Sequence, residues 1–310
     1  MNPSVAIIIL NWNNAADTLD CLKSVFELDY PNFNVLVVDN GSADDSVARI
    51  RTVYPDVEIL ETGENLGYAE GNNVGIRRAL ADGAEDICVL NNDTEVAPSF
   101  LSALVGAMED PRIGIAGPLV YYANPSDMVF SAGCDIDWRD GVARHRGMGA
   151  TAAGQQSSVL THSCNVDALA GCGLLVSRAA MERAGLLDPT YFLNFEDIDW
   201  CVRIGKCDYG VRYVPEAVMW HKVSATLGQD SPGNTYYMTR NGLRFFSRYG
   251  PNRPRALAAI LWRTTRTIVA WSVKSAYAHD HYKRHRAAAV QAVSDFIMNK
   301  SGPTSTRLKI

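Results

Sequence analysis

The chain has 310 residues and 47% hydrophobic content, which is enough for one large domain with an appendage. The formal net charge is −5, but from Pro251 onward Lys and Arg outnumber Asp and Glu by eleven to two. An acidic body argues against nucleic-acid binding, whereas a basic tail is typical of contact with an anionic surface. The seven cysteines include no Cys-x-x-Cys pair, which argues against a disulfide framework or a zinc site and favours reduced thiols.

Targeting segments are not predicted. The first apolar run, 5–10, is too short for a secretory signal and lacks a basic leader, and no uncharged stretch reaches membrane-spanning length. We therefore expect a cytoplasmic protein that contacts the inner face of the cell membrane peripherally, through the basic segment 251–310.

Short apolar runs alternate with helical patterns over the first 90 residues. Four runs predict buried strands: 5–10, 35–38, 57–60 and 86–90. Between them apolar residues recur at helical spacing, for example from Leu19 to Phe26. Ser42 with Asp45 resembles a capping box for the second helix. The alternation predicts an α/β fold in which helices flank a mostly parallel central sheet.

Polar residues follow three of these strands. Asn11 follows the first strand, Asp39 the second, and Asn91-Asn92-Asp93 the fourth. Because the carboxyl ends of parallel strands share one edge, where ligands bind in open α/β sheets, we expect a nucleotide-sized site there. Asp93 lies where a hard cation such as Mg²⁺ or Mn²⁺ would meet a diphosphate. The simpler interpretation of each cluster is a turn with solvated polar side chains.

The second half of the body has weaker signals. We interpret 121–165, which is rich in turn residues, as an irregular excursion available for contact with a substrate. Two apolar stretches, 211–214 and 217–220, predict strands, and the second leads directly to His221. A histidine in that place is either a structural residue or a ligand that faces the same site as Asp93.

Two further positions have both a functional and a structural interpretation. Glu196-Asp197 begins a predicted helix between aromatic residues, an apolar setting that tunes a carboxylate as a base. The simpler interpretation is a well-capped helix, with Asn194 as the cap and an Asp199–Arg203 pair. Arg240 is either a bidentate partner of a diphosphate or an ordinary surface arginine.

The last segment is predicted to be helical. From 256 to 277 apolar residues recur at helical spacing, while Arg263, Arg266 and Lys274 lie on another side. This helix either packs on the main domain or lies in a membrane interface with its basic flank on lipid phosphates. We therefore divide the chain into an α/β domain, 1–225, and a basic, amphipathic helical segment, 226–310.

Seven short motifs follow one another along the first 250 residues. They are 7–13 (IIILNWN), 37–42 (VVDNGS), 65–75 (NLGYAEGNNVG), 90–95 (LNNDTE), 195–199 (FEDID), 220–221 (WH) and 236–241 (YYMTRN). Each is weak alone, but together they resemble the family 2 glycosyltransferases, which have the GT-A fold. The similarity covers about residues 4–247 and is greatest to the bacterial branch of rhamnosyltransferases.

The resemblance implies a role for each matching position. Asp39 would bind the nucleobase, with Asn11 beside it. Asp93 would be the metal ligand of the family's Asp-x-Asp motif, joined by His221. The pair Glu196-Asp197 matches the catalytic carboxylates, with the second as the base. The implied donor site also takes in further positions: Asn65, Asn72, Asn91, Asn92 and Arg240.

Two positions depart from the family pattern. The first Asp of Asp-x-Asp is Asn91, so the implied metal site has one negative charge fewer. Many members carry Arg-Asn where this chain has Gly71-Asn72, which removes an expected phosphate contact. We expect Arg240 to take its place.

The implied reaction inverts configuration by a single displacement. An acceptor hydroxyl attacks the anomeric carbon of a nucleotide-sugar, and the nucleoside diphosphate leaves. The expected donor is dTDP-L-rhamnose, with another dTDP- or UDP-sugar, such as UDP-galactofuranose or UDP-GlcNAc, as the alternative. The expected acceptor is a cell-surface glycan or a lipid-linked saccharide, and the expected cofactor is Mg²⁺ or Mn²⁺. Self-association into a homo-oligomer stays open.

Two other classes of protein also stay open. A non-catalytic sugar-nucleotide-binding relative is disfavoured because Asp93, Glu196-Asp197 and His221 are all present. A dinucleotide oxidoreductase would carry Gly-x-Gly-x-x-Gly after the first strand, and no such motif follows it here.

Overall fold

The computed structural model describes residues 2–151, 158–223, 230–273 and 279–304. In chain order the elements are β1 (Val5–Asn11), α1 (Ala15–Val25), β2 (Phe33–Asp39), α2 (Ser46–Val53), β3 (Glu58–Glu61), α3 (Gly67–Ala81), β4 (Asp86–Asn91), β5 (Thr94–Val96), α4 (Phe100–Met108), β6 (Ile113–Tyr122), β7 (Val129–Ser131), β8 (Cys134–Asp137), β9 (Val142–His145), α5 (Ser158–Thr161), β10 (Cys164–Asn165), β11 (Gly173–Ser177), α6 (Arg178–Ala184), α7 (Glu196–Lys206), β12 (Gly210–His221), α8 (Pro232–Arg248), α9 (Arg253–Val273) and α10 (Asp280–Ile297).

The chain divides into two compact units. The first consists of Met1–Asp135, His145–Asp188 and Glu196–Val223, and the second of Ile136–Arg144, Pro189–Phe195 and Ser224–Ile310. The second unit therefore includes two short segments, Ile136–Arg144 and Pro189–Phe195, that lie before the predicted domain boundary after residue 225.

Ten strands form one mixed sheet in the described part of the first unit. The main strand order is β10-β12-β6-β11-β4-β1-β2-β3. The predicted parallel arrangement is confirmed for β1, β2, β3 and β4. In contrast, β11 runs antiparallel to both β4 and β6. A parallel neighbour usually requires a helical crossover, whereas β11 follows a segment of short strands and turns.

The register brings the predicted polar ends together. Asn11 pairs with Asp39 across β1 and β2, and Leu10 pairs with Asn91 across β1 and β4. Because these strands are parallel, their carboxyl ends lie side by side at one edge. The expected shared edge is confirmed.

Helix α3 lies unusually close to the sheet. A Cβ added to Gly75 would be 2.6 Å from Ile8 Cγ2, and one added to Gly71 would be 2.7 Å from Leu10 Cδ1. A Cβ at either position would force its neighbours to shift, and at Gly75 this includes Val38 Cγ2, only 2.8 Å away. The close packing of α3 therefore favours small residues at both positions.

Several expectations about the first unit were wrong in detail. The segment 121–165 is not wholly irregular, because it contains β7, β8, β9 and β10. The two apolar stretches at 211–214 and 217–220 form a single strand, β12, with an irregularity between Val214 and Val218. Phe26 ends α1 as its C-cap and is half-exposed rather than part of the buried face.

The second unit contains the predicted C-terminal helices. Tyr236 and Tyr237 of α8 pack with Ala288 and Ala292 of α10 in a small apolar core. Within this unit Trp138 also stacks on Phe245, with ring centroids 5.6 Å apart. In the described part of the chain we find no helix with the length and apolar character needed to span a membrane.

Candidate active site

The strand ends carry a hydrogen-bonded network centred on Asp39. Asn11 Nδ2 donates to Asp39 Oδ1 at 2.8 Å, and the Ser42 hydroxyl donates to the same oxygen at 2.6 Å. The Ser42 backbone N–H donates to Asp39 Oδ2 at 3.0 Å. Asp39 and Asn11 are both buried. The hydrogen bond from Asn11 therefore fixes the direction of the Asp39 carboxylate.

Ser42 does not have the helix-capping role that its spacing from Asp45 predicted. It does not cap α2, whose N-cap is Asp45 and has no side-chain capping bond. Its hydroxyl accepts from Asn13 N–H at 2.8 Å and donates to Asp39 instead. The capping-box pattern was wrong because the Ser42 hydroxyl donates to the charged Asp39 carboxylate, a strong acceptor, instead of accepting from an N–H group at the start of α2.

Thr18 extends this network and was missed by sequence analysis. Its hydroxyl donates to Asn11 Oδ1 at 2.8 Å and accepts from Asn92 Nδ2 at 3.0 Å. The ends of β1, β2 and β4 are therefore connected through side chains. No local signal marks Thr18, which lies inside an ordinary amphipathic helix.

Asn65 and Asn72 have supporting positions. Asn65 Oδ1 accepts from Asn40 Nδ2 at 3.2 Å and from Gly67 N–H at 2.8 Å, which shapes the turn into α3. Asn72 is fully buried and donates to Tyr68 O in its own helix at 2.9 Å. A fully buried amide is not accessible to a donor, so the contact predicted for Asn72 is corrected to a role inside α3.

Asp93 and His221 meet where β4 and β12 end. His221 Nε2 lies 3.1 Å from Asp93 Oδ1, and both side chains are almost fully buried. The pairing of β5 with β12, which sets His221 opposite Thr94, produces this contact. Burial alone would lower the pKa of His221, but Cys172 and the Asp93 carboxylate raise it to about 10. Cys172 is thus a neighbour of this pair that the sequence did not indicate.

The Asp93–His221 pair fits a divalent cation. Neighbouring ligands of an octahedral ion with bonds of 2.0–2.1 Å are about 3 Å apart, which matches the observed 3.1 Å. Asn91, two residues before Asp93, has a buried Oδ1 with no hydrogen-bond partner among the described residues. This atom is a neutral oxygen. A mixed set of oxygen and imidazole donors suits Mn²⁺ better than Mg²⁺.

The backbone before Glu196 and Asp197 is unusual. Phe192, Asn194 and Phe195 have φ values of 66°, 65° and 76°, in the left-handed region that favours glycine. Such residues often cluster at functional sites, where surrounding contacts hold them in place. The side chain of Asn194, which was predicted to cap α7, donates through Nδ2 to Asn234 Oδ1 at 3.0 Å. The predicted Asp199–Arg203 pair is confirmed, with Nε 2.6 Å from Oδ2.

The two adjacent carboxyl groups have different surroundings. Asp197 is half-buried and accepts the N–H groups of Gly171 and Ile198, each at 2.8 Å. Burial raises the pKa of Asp197, while these two hydrogen bonds hold it down. Glu196 is buried with Oε2 unpartnered among the described residues, and burial, followed by the charge of Asp197, raises its pKa well above normal. The pKa of Asp197 is still raised overall, but that of Glu196 is raised further, so Asp197 ionises at the lower pH and is the better candidate to accept a proton.

Glu196→Gln should make the protein more stable at pH 8 than the wild type, and about equally stable at about pH 3.5. The pKa of Glu196 is raised in the folded state, so below the unfolded pKa of about 4.3 both states are protonated and the wild type loses no stability. As the pH rises through that value, the unfolded state ionises first and stability is lost. Each kcal/mol removed corresponds to about 2–4 °C in Tm. Thermal melts from about pH 3.5 to about pH 8 measure this, with the exposed Glu182→Gln as control, and parallel curves for Glu196→Gln and wild type would contradict it.

Arg240 does not have the exposed position that the predicted diphosphate contact requires. It is fully buried and donates to Tyr191 O at 2.8 Å, Gly302 O at 2.7 Å and Asn241 Oδ1 at 2.9 Å. A guanidinium with these partners inside the second unit is not available to a diphosphate. Asn241, which sequence analysis passed over, donates to the carbonyls of Tyr191 and Leu193. These residues of α8 hold the segment that ends just before Glu196.

A separate cavity of about 700 Å³ lies at the other end of the sheet. It is lined by residues near the amino ends of β1 and β2, including Ser4 and Phe33. It does not include the residues of the network or the carboxylates described above.

Ligands bind at the carboxyl edge of open α/β sheets, and the candidate residues lie at this edge. The profile described as "Glycosyl transferase family group 2" matches residues 87–278, and "Glycosyl transferase family 2" matches residues 6–140. The chain belongs to glycosyltransferase family 2, as the resemblance implied.

Two curated relatives and a solved structure illustrate the similarity. N-acetylglucosaminyl-diphospho-decaprenol L-rhamnosyltransferase of Mycobacterium tuberculosis is 31% identical over 214 residues, 64% of this chain and 69% of that protein. The dTDP-rhamnosyl transferase RfbF of Shigella flexneri is 27% identical over 252 residues, 78% of this chain and 79% of that protein. The mannosyltransferase PcManGT from Pyrobaculum calidifontis, solved with GDP-Man and Mn²⁺, has a TM-score of 0.61 at 16% identity, with 97% of this chain and 89% of that chain covered. The last similarity confirms the GT-A fold.

Proposed function

We propose that this protein transfers L-rhamnose from dTDP-L-rhamnose to a lipid-linked saccharide or growing cell-surface glycan. The names of the two curated relatives support the donor and acceptor classes. The observation that carries the proposal is the conjunction, in one unit, of the Asp39 network and the buried Asp93–His221 pair, 3.1 Å apart. The first offers a carboxylate to a nucleobase, and the second a divalent-ion site for a diphosphate.

Each group then has one task in the transfer. Asp39 accepts hydrogen bonds from the nucleobase, in the direction set by Asn11 and Ser42. Asp93 and His221 hold Mg²⁺ or Mn²⁺, which supplies positive charge to the leaving diphosphate. Asp197 takes the proton of the acceptor hydroxyl. The hydroxyl oxygen of the acceptor bonds to the anomeric carbon as the bond between that carbon and the phosphate oxygen breaks. Attack opposite the leaving group inverts the configuration.

Thermal shift against UDP-, dTDP- and GDP-sugars, with and without Mn²⁺, tests the donor class. We expect a rise in Tm with dTDP-rhamnose that requires Mn²⁺, because a ligand that binds only the folded state stabilises it. A rise in Tm with UDP-sugars, and none with dTDP-rhamnose, would mean that the donor is a UDP-sugar. Binding without product in a transfer assay with a lipid-linked acceptor would favour a non-catalytic sugar-nucleotide-binding protein.

We also propose that α9 contacts an anionic membrane surface. Trp262 is 68% exposed and Val273 74% exposed on this helix, with Val269 between them. Arg266 is exposed nearby, whereas Arg263 donates to the carbonyls of Asp140 and Gly141. The predicted cation Lys274 and the rest of that helix pattern, 274–277, lie outside the described residues. Exposed apolar side chains beside cations are typical of interfacial helices.

Trp262→Ala should weaken binding to vesicles with anionic lipid by roughly 10-fold, because an inserted tryptophan buries a large apolar area. Co-sedimentation with vesicles of phosphatidylglycerol and phosphatidylcholine measures the effect. Met148→Ala, which removes an exposed apolar side chain of the first unit, is the control. Equal binding by wild type and Trp262→Ala would reject this contact.

A further inference from the structure

A second cluster of ligand-type side chains lies in the second unit and has no part in the proposed transfer. His281 and His285 are one turn apart on α10, and Asp230 shortly precedes α8. One ligand atom from each residue lies within 4.8 Å of the others. His281 Nε2 is 3.2 Å from Asp230 Oδ2, and His285 Nε2 is 3.6 Å from Asp230 Oδ1. Spacing of four residues sets both imidazoles on one face of the helix.

The imidazole of His285 provides the second observation. Its side chain is only 4% exposed, and its Nε2 has no hydrogen-bond partner among the described residues. The Asp230 oxygen, at 3.6 Å, is too distant for a hydrogen bond. A buried nitrogen in this state costs free energy and requires an explanation.

The other nitrogen of this ring indicates what is missing. His285 Nδ1 is 2.7 Å from Thr235 Oγ1. When Nδ1 carries the proton and donates it to Thr235, the lone pair of Nε2 faces the Asp230 carboxylate. Two acceptors face each other favourably only when a cation lies between them.

We propose that Asp230, His281 and His285 bind a divalent transition-metal ion, with Zn²⁺ as the best fit. Ligand atoms around tetrahedral zinc are about 3.4 Å apart, given bonds of 2.0–2.2 Å, and His281 Nε2 lies 3.2 Å from Asp230 Oδ2. His285 Nε2 lies 3.6 Å from the other oxygen of the same carboxylate, and one ligand atom from each of the three residues lies within 4.8 Å of the others. Two imidazoles select against Mg²⁺. The sequence predicted no zinc site because it has no Cys-x-x-Cys pair. The proposed site contains no cysteine, so it departs from that expectation.

The surroundings suit such an ion. A ligating histidine usually donates its other ring N–H to a fixed acceptor, which is the position of Thr235 relative to His285. Asp230 is 82% exposed, so the ion can enter from solvent, and water can complete the coordination. The ion would join α10 to the residues that precede α8. Since it binds only the folded arrangement, it would stabilise the second unit.

Zinc titration of the full, untagged chain after treatment with a chelator tests the proposal. We expect a calorimetric binding event that is at least about 10–100-fold weaker in His281→Ala. His279→Ala, which removes an exposed imidazole two residues away, is the matched control and should bind zinc as the wild type does. His221→Ala separates this site from Asp93–His221, so the event must also persist in that variant.

Two further readouts keep the test decisive. Co²⁺ in place of zinc should give the visible absorption of a tetrahedral ion in the wild type and not in His281→Ala or Asp230→Asn. Zinc at about 100-fold above Kd should raise Tm by roughly 5–11 °C in the wild type only. Asp230 is largely exposed, so Asp230→Asn is expected to fold normally. Equal zinc affinity in the wild type, His281→Ala and Asp230→Asn, or loss in His221→Ala alone, would overturn the site.

Discussion

Asp197→Asn is expected to lower the turnover number by about 10²–10⁴-fold, which is the usual contribution of a general base. The amide keeps the shape of the carboxylate and one oxygen for the N–H of Gly171, now 2.8 Å from Oδ2. The fold and the affinity for the donor should therefore stay close to those of the wild type. Initial rates at saturating donor, together with calorimetric donor titration of the same preparation, measure the two quantities separately.

Glu196→Gln is the matched comparison for this result. Because Glu196 is kept protonated by burial and by the adjacent charge, replacing it with a neutral amide should preserve most of the turnover. An equal loss in both variants would assign the base to the pair rather than to Asp197. Loss of donor affinity in proportion to turnover in Asp197→Asn would reject the catalytic role.

Asp93→Ala is expected to weaken Mn²⁺-dependent donor binding by at least about 10–100-fold, since even the loss of an outer partner of a metal ligand costs that much. The change removes the carboxylate that lies 3.1 Å from His221 Nε2. Calorimetric titration with the nucleotide-sugar, with and without Mn²⁺, measures the effect.

Glu95→Gln controls for the loss of one negative charge near this position. Glu95 is exposed on β5, two residues along the chain from Asp93. Its replacement should leave the Mn²⁺-dependent titration unchanged. A titration of Asp93→Ala that matches the wild type would remove the metal site from the proposal.

Local sequence patterns were sufficient to predict the architecture of the donor edge. Continuous apolar runs and their alternation with helical periodicity depend on neighbours in the chain, so β1, β2 and β4 and their shared carboxyl edge were predicted correctly. Asn11, Asp39 and Asp93 were selected because each follows a strand, and the register of parallel strands brings such residues together.

Hydrogen-bond partners distant in the chain could not be predicted in this way. Ser42 has the spacing of a capping box, but in the folded chain its hydroxyl accepts from the N–H of Asn13, 29 residues earlier. Thr18 has no distinguishing local pattern. Arg240 resembled a phosphate ligand because its type suits a phosphate, whereas its complete burial results from packing within the second unit.

The chemical states of adjacent carboxyl groups were decided only by tertiary structure. Glu196 and Asp197 are neighbours of similar chemistry, and the sequence offers both as bases. Burial without a partner raises the pKa of Glu196 well above normal, while the N–H of Gly171, 26 residues away, stabilises the charge of Asp197. In the same way, Asp230 and His281 are 51 positions apart and meet only in the folded second unit. Periodicity reports which face of an element is buried, but solvation and long-range contacts determine which side chain carries charge.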